Sequence, residues 1–167
     1  DAVGDDGEPW PMYATRHVTM VRRIGDAVAD IVQLLKDLKI DKNTLIIFTS
    51  DNGTHPADGH QPDYLDTFGP YDGRKRDMWE GGIRMPTLVR WPSVIAAGSK
   101  SDSPSQFHDW MATFCDLAGI QAPALCDGVS IAPTLTGSRK QHLGIVYSEY
   151  LQKGGNTASY KEWEPSR

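Results

Sequence analysis

No stretch of the 167 residues approaches the roughly 20 consecutive apolar positions that a membrane-spanning helix requires, so no membrane span is expected. An excess of basic charge is equally absent. Seventeen Lys and Arg stand against 22 Asp and Glu, for a formal net charge of −5. Nucleic-acid phosphates are bound by clustered cations, which excludes a nucleic-acid partner. The densest basic cluster, Arg74-Lys75-Arg76, is too short for that task and suits a small anion instead. Cysteine is scarce: Cys115 and Cys126 cannot make a disulfide framework, and free buried thiols are expected. There is no internal repeat, no low-complexity tract, no initiator methionine and no signal-like run, so the first residues read as an internal point in a longer gene product.

What is present is patterned. Apolar residues make up 39 % of the chain, beside 16 glycines and 11 prolines, a loop-rich but globular composition with enough length for one core. From Tyr13 to Leu38 a helix is predicted, because Met20, Val21, Ile24, Ala27, Val28, Ile31, Val32, Leu35 and Leu38 recur at helical spacing on one face. Asp41-Lys42-Asn43 breaks it. The almost continuously apolar run 44–49 then predicts a strand buried on both faces of a parallel sheet. A long amphipathic helix feeding such a strand indicates a layered α/β fold. Residues 87–91 predict a second strand between Pro86 and Pro92. A second helix is expected to start with Ser103 as N-cap, Pro104 in its first turn and Gln106 completing a capping box. Its apolar face would be Phe107, Trp110, Met111, Phe114, Leu117 and Ala118, with Cys115 on the same side and Gly119 as the stop. Residues 144–150 predict a further strand.

Chemistry is expected where the first strand ends. In open α/β sheets ligands bind beyond the carboxyl ends of strands, and here Ser50-Asp51-Asn52-Gly53 offers a carboxylate and an amide oxygen. Such hard oxygen donors suit calcium or magnesium, whereas zinc prefers His or Cys. The bland alternative is an ordinary Asp-Asn-Gly turn. A 32-residue polar segment, 51–82, comes next, and structureless loops of that length are usually functional. Near its end, Lys75 precedes a Glu80-Gly81-Gly82 turn that runs into the second strand. A compact ammonium suits a sulfate or phosphate oxygen. Alternatively, Lys75 is a solvated loop lysine and Glu80 and Arg84 are a surface pair, although paired glycines cost entropy unless the backbone needs them.

Taken together, "NTLIIFTSDNG", "GPYDGRKRDMWEGGIRMPTLVRWP", "FHDWMATFCDLAGI" and "CDGVSIAPTLTG" resemble the sulfatase family of the alkaline-phosphatase-like superfamily, over about residues 13–150. The fold class implied is α/β: part of an alkaline-phosphatase-like layered sheet with flanking helices, truncated at both ends. Residues 1–137 would be the carboxy-terminal half of the catalytic domain, and 138–167 the incomplete start of a smaller carboxy-terminal subdomain. The resemblance makes Asp51 and Asn52 metal ligands, usually for calcium with magnesium as an alternative, and Lys75 the sulfate contact. Glu80, Gly81, Gly82 and Arg84 match a mainly structural turn, and Asp127-Gly128 a structural loop. His55 and His60 fall in a loop that faces substrate in similar enzymes, either as substrate contacts or leaving-group acids, or as solvated or structural histidines.

The implied activity is sulfuric ester hydrolysis, releasing inorganic sulfate from a sulfated small molecule or, preferentially, a glycan, in a periplasmic or secreted protein. The family's nucleophile is a formylglycine made from Cys or Ser in a Cys/Ser-x-Pro-x-Arg motif, and neither cysteine here fits it. Trp163-Glu164-Pro165-Ser166-Arg167 imitates only its tail. The 167 residues alone are therefore expected to be inactive, with the nucleophile upstream. Two rivals are a phosphodiesterase or phosphoryl transferase of the same superfamily, and a non-catalytic module binding calcium or a glycan. The sequence sets no oligomeric state.

Overall fold

The computed structural model describes residues 3–4, 7–56, 61–138 and 144–149. Its elements in chain order are α1 (Met12–Asp37), a one-turn 3-10 helix (Asp41–Asn43), β1 (Ile46–Thr49), α2 (Glu80–Ile83), β2 (Thr87–Arg90), α3 (Asp109–Ala118) and α4 (Ala132–Leu135). The first helix and both strands fall where the hydrophobic periodicity predicts them. β1 and β2 pair as a two-stranded antiparallel sheet, which corrects the expectation of a parallel one. Only β2 lies beside β1 among the described residues, so the strand is not enclosed. Ile46 and Ile47 are half-buried and Phe48 is exposed.

The described residues divide into two units. The first takes its members from Asp1–Leu38, Phe48–Leu88 and Glu149–Arg167, the second from Lys39–Ile47 and Val89–Ser148. In the first unit, α1 begins after Pro11 and buries Ala14, and Tyr13 sets its ring edge-on to Tyr64 at 5.7 Å. Its apolar stripe is otherwise open: Met20, Val21, Ile24, Ile31 and Leu38 are exposed, and Val28, Val32 and Leu35 are half-buried. The spacing that predicts the helix is correct, but most of its apolar face is left exposed. At the end of β1, Thr49 Oγ1 lies 3.0 Å from Thr87 Oγ1 and donates to Pro86 O at 3.0 Å, fixing the strand register.

The second unit is organised by buried polar groups. α3 starts at Asp109, not after Ser103, and the reason is a side chain that the sequence pattern does not single out. Asp109, 4 % exposed, accepts from Gln106 N at 2.8 Å and from Val129 N at 2.9 Å. Thr113, fully buried, donates to Asp109 O at 2.7 Å and accepts from Ile131 N at 3.0 Å. These bonds turn the helix so that Trp110, Ala112 and Cys115 pack inward, while Phe107, Met111 and Phe114 of the expected apolar face stay exposed. Cys115 is buried as expected. Gly119 ends the helix at φ 68°, letting Ile120 N reach Cys115 O at 2.9 Å. Residues 144–149 form no strand: the Gln106 amide holds Tyr147 instead, accepting from its N–H at 2.9 Å and donating to its carbonyl at 2.8 Å. One side chain there does what a neighbouring strand would have done. Most of the segment from 138 onward, expected to begin a smaller subdomain, lies outside the described residues.

Candidate functional site

Asp51, Asn52, His55 and Lys75 fall in the first unit, on two arms joined by backbone hydrogen bonds. The first arm leaves β1 through Ser50, whose Oγ donates to Asn52 O at 3.0 Å and closes the turn. Asp51 is exposed and Asn52 half-buried. Asn52 Nδ2 donates to Gly53 O at 2.9 Å, which commits the donor end of that amide to the turn. Its Oδ1 accepts nothing among the described residues, and the Asp51 carboxylate makes no hydrogen bond or ion pair there.

The second arm is the Gly73–Ile83 turn. Gly53 N donates to Gly82 O at 2.8 Å, and Lys75 N donates to Thr54 O at 2.7 Å. Thr54 is two residues beyond Asn52, and consecutive Cα atoms are about 3.8 Å apart. The Lys75 main chain is therefore held near the strand end, although Gly53 and Lys75 lie 22 positions apart in sequence. Lys75 is half-buried, and its ammonium has no protein acceptor among the described residues.

The glycines make this approach possible. A Cβ on Gly53 would collide with the Gly81 carbonyl, one on Gly81 with Gly73 O, and one on Gly82 with both Arg74 O and Asp77 O. All three glycines are buried. Two backbones meet here with no room for a methyl group, which accounts for the paired glycines physically. Gly81 N donates to Asp72 O at 2.7 Å and closes the turn.

Glu80 and Arg84 form an exposed ion pair at 2.8 Å, and the Arg84 guanidinium also sits 4.5 Å above the Tyr71 ring centroid. This matches the surface-pair reading, and such exposed pairs contribute less than about 1 kcal/mol. His55 is half-buried, and its Nδ1 is shielded from solvent with no hydrogen-bond partner among the described residues. A buried polar atom left this way costs about 1–3 kcal/mol, a penalty that a bound group could relieve. His60 lies outside the described residues. Elsewhere in the 51–82 segment, Thr54 Oγ1 and Thr67 Oγ1 lie 2.8 Å apart and Arg74 pairs with Asp63 at 3.4 Å.

One residue of this region escaped the sequence reasoning. Asp77, 7 % exposed, accepts from Arg74 N at 2.9 Å through Oδ2, while its own N–H donates to Arg74 O at 2.8 Å. Between them Arg76 takes a left-handed conformation, φ 82°, which costs a non-glycine residue on the order of 1–2 kcal/mol. Arg74-Lys75-Arg76-Asp77 matches no capping-box pattern, so the sequence carries no signal that singles this carboxylate out.

A strand end carrying oxygen donors is thus clamped beside a lysine-bearing turn within an α/β fold. The sulfatase family model matches residues 5–120, and the chain belongs to that family. It is 39 % identical to human steryl-sulfatase (Homo sapiens) over 119 residues, 69 % of this chain and 20 % of that protein. It is 36 % identical to mouse N-acetylgalactosamine-6-sulfatase (Mus musculus) over 149 residues, 82 % of this chain and 28 % of that protein. The crystal structure of Ps i-CgsB in complex with k-i-k-neocarrahexaose superposes with a TM-score of 0.66 at 30 % identity, over 75 % of this chain and 27 % of that one. The fold is thus part of the alkaline-phosphatase-like α/β architecture. The chain spans 20–28 % of the length of these two curated relatives.

Proposed function

We propose that the complete protein is a sulfuric ester hydrolase releasing inorganic sulfate, with Asp51 and Asn52 as part of a divalent-cation site and Lys75 as the sulfate contact. The observation that carries this reading is the double backbone clamp, Gly53 N to Gly82 O and Lys75 N to Thr54 O. It brings the oxygen-bearing strand end and the lysine turn together, as one pocket for a cation and an anion requires. The donor chemistry fits a hard cation. One carboxylate and one amide oxygen, neither taken by a protein donor among the described residues, are ligands of the kind calcium and magnesium use. They are only part of a shell of roughly six to eight oxygens, and the described residues hold no cluster of three or more His, Cys, Asp or Glu. The remaining ligands, and the formylglycine nucleophile implied by the resemblance, would come from elsewhere in the protein. When bound, the cation supplies charge neutralisation for the sulfate oxygens.

Lys75 holds a sulfate oxygen by charge-assisted hydrogen bonds and offsets negative charge on the departing oxygen. His55, with a buried ring nitrogen free to accept or donate, is the proposed second contact to substrate or leaving group, and His60 is kept as a further candidate. A sulfated carbohydrate is the proposed substrate class. It is supported by the polar segment around Asp63 to Tyr71 and by likeness to an N-acetylgalactosamine-6-sulfatase and to a structure holding a neocarrahexaose. A periplasmic or secreted location belongs to the same proposal and rests on the resemblance.

The test assays the purified complete protein on sulfated N-acetylgalactosamine, para-nitrophenyl sulfate and bis(para-nitrophenyl) phosphate. Sulfate release that is lost with EDTA and restored by calcium is expected. Phosphodiester turnover without sulfate release would move the reading to phosphoryl chemistry, and calcium binding without turnover would leave a binding module.

A further inference from the structure

We infer that Asp77 is the positioning residue for Lys75: its carboxylate folds back on the Arg74 N–H and fixes the turn that presents the ammonium. This inference rests on the reading of Lys75 as the sulfate contact. Four residues, Arg74 to Asp77, close on themselves through two bonds, Arg74 N to Asp77 Oδ2 at 2.9 Å and Asp77 N to Arg74 O at 2.8 Å. Lys75 sits inside that closure, and Arg76 beside it takes the left-handed conformation, φ 82°, that the closure demands. Short loops hold such a conformation only when surrounding bonds over-determine it. Here the bonds come from Asp77 on one side and from Lys75 N to Thr54 O, 2.7 Å, on the other.

Asp77 is also where the turn meets the rest of the clamp. A side chain on Gly82 would strike both Arg74 O and Asp77 O, so the closed turn rests directly on the glycine whose carbonyl receives Gly53 N. A rotation of the turn would therefore move the Lys75 main chain relative to Gly53 and the strand end. Lysine has four side-chain torsions to absorb such a shift, but each alternative rotamer costs order at the reacting group. Displacement of a catalytic group by about 1 Å can cost roughly 100-fold in rate. Asp77 is only 7 % exposed and is bonded to the backbone of its own turn, so its role is to hold Lys75 and not to contact substrate.

What the Arg74 N–H uses is an acceptor oxygen at this reach. Asparagine keeps an oxygen at the same reach; glutamate keeps the charge but moves it outward by one methylene. In the complete protein, kcat/KM for sulfate release from para-nitrophenyl sulfate is expected to stay within about threefold for Asp77→Asn, and to fall by about 10-fold to 100-fold for Asp77→Glu and Asp77→Ala. The same three changes made on Lys75→Ala are expected to add less than about twofold, because residues acting as one unit are non-additive. Should Asp77→Ala fail to fold, the ranking of Asn over Glu still decides. Equal losses for Asn and Glu, or an undiminished Asp77 effect in the Lys75→Ala background, would overturn the positioning role while leaving Lys75 as the contact. A Lys75→Ala protein with unchanged kcat/KM would instead overturn the reading of the site.

Discussion

Asp109 and Asp77 belong to different units yet use the same local device. Each carboxylate reaches back three residues to a backbone N–H, at 2.8 Å on Gln106 and 2.9 Å on Arg74, and each sends its own N–H to the carbonyl of that residue. Their consequences diverge with the chain downstream of each. After Asp109 a ten-residue helix propagates, Thr113 joins the network, and both carboxylate oxygens accept backbone hydrogen bonds. After Asp77 the chain meets Trp79 and two buried glycines, no long helix forms, and the closed turn carries a lysine whose ammonium has no acceptor among the described residues. Buried polar groups that satisfy one another stabilise a fold. Polar groups held in place but left unmatched are what a binding site consists of. The lesson is that burial and satisfaction, not residue type, separate the structural aspartate at 109 from the candidate ligand at 51.

The comparison breaks most visibly through activity. Lys75→Ala in the complete protein is expected to lower kcat/KM for sulfate ester hydrolysis by about 100-fold to 1,000-fold, the usual cost of removing a group that stabilises developing charge. His55→Ala should cost less than about 10-fold. Steady-state kinetics of both variants checks the order, and a larger loss at His55 would reverse the two roles. Gly53→Ala comes next. Its methyl group must displace the Gly81 carbonyl, so both a loss of roughly 1–3 kcal/mol in denaturant unfolding and a fall in kcat/KM are expected. An alanine variant with wild-type stability would show that the close approach of the two backbones is not needed.

The sharpest form of the comparison sets two aspartates side by side. Asp109→Ala removes the buried acceptor of two backbone N–H groups, Gln106 and Val129, and should destabilise by about 1–3 kcal/mol in metal-free unfolding. Asp51→Ala, at an exposed position with no protein partner among the described residues, should change metal-free stability by less than about 0.5 kcal/mol. Yet it should weaken calcium binding measured by titration calorimetry. Equal destabilisation by the two substitutions would erase the distinction between a structural and a ligand carboxylate.

The outcome for particular elements shows how far local pattern reaches. Helical spacing located α1 to within one residue at each end, and the apolar run located β1, because both signals are written in neighbouring side chains. The burial of those elements was not legible. The stripe on α1 stays open and β1 is half-covered, since burial depends on which segments lie alongside. The start of α3 was misplaced for a related reason. Ser103 carries a familiar capping pattern, but the helix starts later, where the Asp109 carboxylate accepts both Gln106 N and Val129 N, the second bond spanning 20 positions in sequence. The strand expected at 144–150 had the right composition and no strand to pair with among the described residues, so a glutamine side chain took its hydrogen bonds.

By itself the sequence determined the family, through motifs whose order and spacing carry specific chemistry, and it named Asp51, Asn52 and Lys75 as the groups to watch. Only the tertiary structure decided that the strand end and the lysine turn are bolted together through Gly53, Gly82 and Thr54, and that Asp77 closes the turn. The physical reason is that backbone-to-backbone contact leaves almost no mark on the side-chain pattern. Its one trace is glycine where a methyl group would not fit, and glycine alone does not say which distant carbonyl it makes room for.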